Sequence, residues 1–302
     1  MASQAYAAYT ENVINATGPN ASSRVKKVLP ILFKHLHAAV IEAEITFDEL
    51  IATLEFLGET GKMTTEKRQE FVLVSDILGV SSLVDMLSHN KLTAKDPAPS
   101  TPSAVLGPFY VHGVPPQPLG TTVVRYPEPD GVLTHIFGRV KSSVTGAPIP
   151  GAIIDVWEGA PDGEYSTQTP HKGDYHCRGR FIADESGRYS VLVLKPVAYP
   201  IPTDGTGGKL LKLLDRHCMR PAHVHFMVIA PGYKTLVTQV FDRKSDYLQN
   251  DAVFAVKESL IVDFVPAKSP APSGPNGEKP VLELEYDLVI TEEKKSEAVA
   301  AL

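Results

Sequence analysis

Glycine and proline are spread so unevenly along this chain that no single architecture accommodates it. Among 302 residues there are 22 Gly and 25 Pro. Upstream of Pro97 lie only 2 Pro (Pro19 and Pro30) and 4 Gly; the other 23 Pro and 18 Gly follow. Pro removes a backbone donor and fixes φ, whereas Gly frees the backbone, so both interrupt helices and mark turns. The step predicts helices first and a turn-rich fold afterwards. A chain this long holds one large domain or two smaller ones.

The helical part carries helical signals. From Ser22 to Glu44 the apolar residues Val25, Val28, Leu29, Leu32, Leu36, Ala39 and Val40 fall on one face. Pro30 inside that stretch predicts a kink or a slipped start. Thr46-Phe47-Asp48-Glu49 is a capping box, and the helix it opens is expected to end near Gly58. Thr65 to Leu78 reads as another helix, with Gly79 as its C′ residue, and Ser82 to Ser88 as a short one. This region reads as a packing and oligomerisation module.

A proline-rich linker from Ala94 to Gly120 hands over to short alternating segments. Strands are expected over 133–141, 152–157, 188–194, 222–229, 236–241, 259–264 and 281–290. No helical periodicity intervenes, so a β-sandwich is expected. The fold class is therefore α+β: an N-terminal helical dimerisation domain, 1–97, followed by an all-β sandwich catalytic domain, 98–302.

Charge narrows the partners. The formal net charge is -6 and basic clusters are short, which argues against nucleic acid. Cys177 and Cys218 cannot form a disulfide framework and read as free thiols of a reducing compartment. No apolar run is long enough to span a membrane, and the N-terminus lacks a signal-peptide pattern. A cytoplasmic protein is expected.

The sharpest local feature is Arg220-Pro221-Ala222-His223-Val224-His225-Phe226. In a strand, i and i+2 share a face, about 6.6 Å apart. Ala222, Val224 and Phe226 would pack inward while His223 and His225 project together. Such a pair either holds one metal ion or is simply two partly exposed histidines. Two tyrosines favour the first reading. Tyr165 sits in the loop Gly163-Glu164-Tyr165-Ser166, and Tyr199 is held between Pro196 and Pro200. A phenol ionises near pH 10, so only a strong Lewis acid holds it as phenolate at neutral pH. Hard anionic oxygen donors point away from zinc and toward ferric iron.

These segments, with Asp155-Val156-Trp157, Gly187-Arg188-Tyr189, Ala230-Pro231-Gly232-Tyr233 and Leu236-Val237-Thr238-Gln239, resemble the intradiol ring-cleaving dioxygenases. The resemblance runs in order over nearly the whole chain. It implies a non-haem Fe(III) held by Tyr165, Tyr199, His223, His225 and a hydroxide. It also implies a benzene-1,2-diol substrate that binds as Tyr199 and the hydroxide leave and accept its protons. Arg220 would stabilise negative charge developing on the substrate, and Gln239 would orient neighbouring groups. O2 would be incorporated into a cis,cis-muconate-type product.

The pocket set implied by the same resemblance is Leu73, Asp76, Gly107, Pro108, Phe109, Ile201, Pro202 and Val253. It is similar to the hydroxyquinol type more than to the bacterial catechol type. Asp76 could accept a hydrogen bond from a third ring hydroxyl, or could simply face solvent near a helix end. Catechol 1,2-dioxygenation is the alternative main activity. The helical front would form a homodimer, with a phospholipid between apolar helices from Ser22 to Leu87. A non-catalytic sandwich binding module leaves the two tyrosines and two histidines unexplained. A His-x-His hydrolase lacks a third histidine or carboxylate cluster in a matching place.

Overall fold

The computed structural model describes residues 2–93, 100–169, 173, 175–268 and 271–293. The expected boundary at 97/98 and the start of the linker lie outside the described residues. The chain divides into two compact units, one reaching to Gly58 and one of Glu59–Glu293.

In the first unit, α1 (Ala2–Asn15) and α2 (Ser23–Glu42) pack together. Thr10 Oγ1 lies 3.0 Å from His37 Nδ1, and Tyr9 stacks on the same imidazole. Ser22 accepts from the Val25 amide and caps α2, so the helix starts where its pattern does and runs through Pro30. The capping box opens α3 (Phe47–Met63) as expected. The Thr46 amide donates to Glu49 Oε2 at 2.8 Å, and the Glu49 amide donates to Thr46 Oγ1 at 3.3 Å. This helix does not stop at Gly58. An interior glycine costs only about 1 kcal/mol, and the extra turn buries Thr60, which donates to Thr206 Oγ1 at 2.9 Å.

In the second unit, α4 is shorter than its pattern, Glu70–Ile77. Thr65 Oγ1 instead accepts from the Lys67 and Arg68 amides, a local turn that competes with helix. Gly79, at φ +71°, ends α4 as expected, and α5 (Val80–Thr93) follows at once and outruns the expected 82–88.

Two open sheets form the sandwich. One contains β1 (Leu133–Ser142), paired with β4 (Arg188–Leu194), β11 (Leu282–Glu285) and β12 (Leu288–Ile290); β10 (Val265–Pro266) extends it from β11. The other runs β3 (Arg178–Ile182), β2 (Ile153–Trp157), β7 (His223–Ile229), β8 (Leu236–Asp242), β9 (Ile261–Val262). Ile136, Val140, Ile154, Phe181, Val191, Val224, Phe226 and Val240 fill the space between them. The expected strand 281–290 is broken at Tyr286-Asp287, where the chain crosses Gly138. A Cβ there would fall 2.0 Å from the Tyr286 carbonyl oxygen, so only glycine fits. The expected strand 259–264 opens as a 3-10 turn, Glu258–Leu260, before β9.

Strand β3 and helix α6 (Thr206–Leu213) are among the elements that the sequence pattern does not announce. β3 begins with the buried Arg178, and its charged alternation hides it. Helix α6 starts TGGKLL, which reads as a turn. Its glycines serve packing instead. A Cβ on Gly207 would meet Leu73, and one on Gly208 the Thr203 carbonyl.

Candidate metal centre and substrate pocket

Strand pairing builds the site. On β7, Val224, Phe226 and Val228 enter the core, so His223 and His225 turn to the other face. Both imidazoles are buried, with Nε2 atoms 3.1 Å apart. In the adjoining ladders His225 lies opposite Gln239 on β8 and opposite Trp157 on β2. The Trp157 ring stacks on His225 with centroids 4.6 Å apart. A two-residue ladder of β5 (Tyr199–Pro200) with β6 (Met219–Arg220) sets Tyr199 opposite Arg220. Tyr165 reaches in from its loop, and its hydroxyl lies 3.4 Å from the Tyr199 hydroxyl.

The two tyrosine segments meet at Gly163. Its φ is +83°, and a Cβ there would fall 3.0 Å from Tyr199 Cβ. A side chain at 163 would therefore both strain the backbone and push the tyrosines apart.

Arg220 is the hub. Nε and Nη2 donate to the two Asp251 oxygens at 3.0 and 3.2 Å. Nη2 also donates to Gln239 Oε1 at 3.0 Å, and Nη1 reaches Tyr199 Oη at 3.3 Å and His223 Nε2 at 3.1 Å. Gln239 Nε2 in turn donates to the Val105 carbonyl. Burial alone would weaken the Arg220 charge, but Asp251 and the two phenols strengthen it, and its pKa is raised. Burial would likewise raise Asp251, but Arg220 overrides it and holds the carboxylate ionised.

The donors suit a hard, high-charge cation. Burial, then the Arg220 charge, lowers His223 to about 3. Burial and its charged neighbours also push His225 well down. Both are neutral at physiological pH, with lone pairs available. His223 Nδ1 donates to the Pro221 carbonyl at 2.7 Å, which directs the Nε2 lone pair inward. Nδ1 of His225 is buried with no partner among the described residues. Burial drives Tyr165 away from ionisation, so a phenolate at this position requires added positive charge. Among the described residues no group of three or more His, Cys, Asp or Glu shares a point. The two tyrosine rings instead lie beside the imidazoles, Tyr165 with its centroid 6.1 Å from that of His225 and Tyr199 5.5 Å from that of His223.

Beside the donors, Leu73, Phe109, Ile201 and Val253 share one buried cluster with Tyr165, Tyr199 and Trp157. Leu73, Pro108, Phe109 and Pro202 also line a cleft of about 450 Å³. Phe109 stacks on Tyr165 with centroids 4.4 Å apart. Gly107, at φ +75°, brings its backbone against His225. Asp76 does not face solvent: it is 2% exposed, and Oδ1 has no partner among the described residues. Burial raises it to about 6, against a Ser81 hydrogen bond and the Arg220 charge.

Tyr165, Tyr199, Arg220, His223, His225 and Gln239 thus lie side by side, and Leu73, Phe109, Ile201 and Val253 pack in the cluster that holds the two tyrosines. The sequence reading gave no role to Asp251, Trp157 or Arg178. Trp157 had a signal in its own strand, two residues after Asp155. Arg178, buried beside Tyr165 with Nε donating to Ser166 Oγ at 2.7 Å, had none. Cys177 and Cys218 form no disulfide among the described residues.

Comparison with known proteins agrees over most of the chain. Residues 22–95 match the family model described as the catechol dioxygenase N terminus, and residues 105–292 the one described as dioxygenase. A hydroxyquinol 1,2-dioxygenase of Rhizobium sp. is 43% identical over 244 residues, covering 80% of this chain and 79% of the relative. A catechol 1,2-dioxygenase of Candida albicans is 40% identical over 258 residues, covering 85% and 84%. The solved hydroxyquinol 1,2-dioxygenase of Pseudomonas putida superposes with a TM-score of 0.80 at 38% identity, covering 96% of this chain and all of that one.

Proposed function

The chain belongs to the intradiol ring-cleaving dioxygenases, and from that membership we propose a ferric enzyme that prefers hydroxyquinol and also accepts catechol. The observation that carries the reading is the meeting of Tyr165, Tyr199, His223 and His225 around one buried point, with Arg220 at its edge. These four residues would hold the ion. When bound, ferric iron would supply a Lewis acid that gathers both diol oxygens and gives the ring carbanion character toward O2.

The side chains divide the remaining work. Tyr199 Oη, in contact with Arg220, is the base that takes a substrate proton as the diol enters. Arg220 cannot give up its own proton, so Nη1 acts as a fixed cation beside the oxygens where charge develops. Gln239 and Asp251 hold that guanidinium in its plane. Phe109, Trp157 and Ile201 keep water from the ring. Asp76 Oδ1 accepts from a third ring hydroxyl, which supports hydroxyquinol over catechol. The product is a cis,cis-muconate-type diacid.

The roles of 1–97 as a dimerisation arm and 98–302 as the catalytic part are likewise proposals. Ile31, Leu32, Leu36 and Val40 of α2 are each more than two-fifths exposed. That supports homodimerisation through the arm and would also suit a phospholipid's chains. Among the described residues no single helix is long and apolar enough to cross a membrane. That Cys177 and Cys218 form no disulfide among the described residues supports the cytoplasm as location.

Initial rates of the iron-loaded enzyme on hydroxyquinol, catechol, 4-methylcatechol and pyrogallol test the reading. Hydroxyquinol should lead. Catechol in the lead would make catechol 1,2-dioxygenation the main activity, and cleavage of none would overturn the proposal.

A further inference from the structure

Two walls of the diol pocket come from distant segments. One is α4, with Leu73 and Asp76. The other is the turn 251–255, with Asp251 and Val253. A single side chain bridges them. Arg216 Nη1 donates to the Ile77 carbonyl at 2.8 Å, and Nη2 donates to the Ala252 carbonyl at 2.6 Å. Ile77 is the last residue of α4 and adjoins Asp76. Its carbonyl is one of those a helix leaves without an intrahelical donor, and a cation there also answers the helix dipole. Ala252 lies between Asp251 and Val253.

The bridge is braced on its own side. The Arg216 guanidinium lies over the Phe254 ring, 4.6 Å from its centroid. Phe254 and Asp215, the residue before Arg216, both have left-handed backbones, at φ 58° and 49°. A bulky residue such as Phe takes that conformation only where its surroundings enforce it. The turn is pinned further by Ser82 Oγ, which donates to the Val253 carbonyl at 2.8 Å. Asp251 accepts from the Val253 and Ala255 amides while it holds Arg220.

We infer that Arg216 is a positioning residue for substrate selection: its forked guanidinium fixes the spacing of Asp76 from Val253. It touches no substrate and acts only through the two carbonyls. Lysine would keep the charge but could not span both, because the fork is what matches them. The inference rests on the ring-cleaving reading above, and its test separates the two.

Arg216→Ala and Arg216→Lys are compared with the native holoenzyme in kcat and KM for hydroxyquinol and catechol. Arg216→Ala should lower the hydroxyquinol-to-catechol ratio of kcat/KM about tenfold, mostly through KM for hydroxyquinol. Arg216→Lys should lower it less, and millimolar guanidinium ion should restore it in Arg216→Ala. Equal losses on both substrates, or an unchanged ratio, would overturn the inference. If Arg216→Ala does not fold, Arg216→Lys carries the comparison. Amide exchange reads the bridge without turnover. Residues 78–79 and 252–255 should both exchange faster in the variant, and acceleration confined to one segment, or none, refutes it. A native enzyme that cleaves neither diol defeats the functional reading, and exchange then decides the bridge alone.

Discussion

Asp76 is held against its own stability. Burial lifts its pKa from 3.8 to about 6. Below about pH 4 the carboxyl is protonated in folded and unfolded chains alike, and no cost arises. Between there and about pH 6 the unfolded chain ionises first, so stability falls as pH rises, by roughly 3 kcal/mol in all. Asp76→Asn should therefore melt higher than the native protein at pH 8 and nearly with it at pH 4. The same variant should lose its preference for hydroxyquinol, since an amide serves the third hydroxyl less well than a carboxylate. Equal melting at both pH values would contradict the buried charge. Tyr199→Phe makes the complementary case. It should lower kcat by about a hundredfold or more while the melting temperature stays close to native, and full activity would refute a proton-accepting role. At this scale the sequence is most legible where a local period carries the signal. His223 and His225 share a face because strands alternate, and Val224 and Phe226 confirm the phase. Asp251 and Arg216 carry no such mark, because each acts through carbonyls and guanidinium groups far away in sequence.

Among the elements, the loop 158–169 and β5 depend on one glycine. Gly163→Ala adds left-handed strain of order 1 kcal/mol and a contact with Tyr199 Cβ. Gly146→Ala is its control, since Gly146 has φ +67° and nothing within 4 Å of a Cβ. Both variants should lose stability, Gly163→Ala more than its control, and only Gly163→Ala should be purified with less iron than native. Equal iron content in the two would show that the tyrosines tolerate the displacement. The same logic explains what the pattern of elements concealed. α6 opens on two glycines that look like a turn until Leu73 and Thr203 are seen against them. β3 looks charged because Arg178 is buried and Arg180 pairs with Asp155. Local propensity was followed where nothing opposed it, as in the capping box of α3, and overridden where tertiary contact was tighter.

For the whole molecule, the Gly and Pro step marks where turns begin, and the sandwich lies beyond it. It does not encode that α4 and α5 pack in the same compact unit as the sheets. That arrangement brings Leu73 and Ile77 into a buried cluster with Trp157 and Phe241, and Glu70 Oε1 accepts from the Gly207 amide at 2.9 Å. The exposed apolar face of α2 makes a prediction at this scale. Leu32→Glu with Leu36→Glu should convert a dimer to a monomer in sedimentation velocity and leave iron content unchanged. Native protein that sediments as a monomer at the same concentration would contradict the proposed arm. Binding of one ferric ion by two phenolates and two imidazoles is read most directly by visible absorption. Iron-loaded protein should show a broad tyrosinate-to-iron charge-transfer band that shifts or weakens in Tyr165→Phe and in Tyr199→Phe. A colourless iron-loaded protein, or a band indifferent to both substitutions, would contradict it.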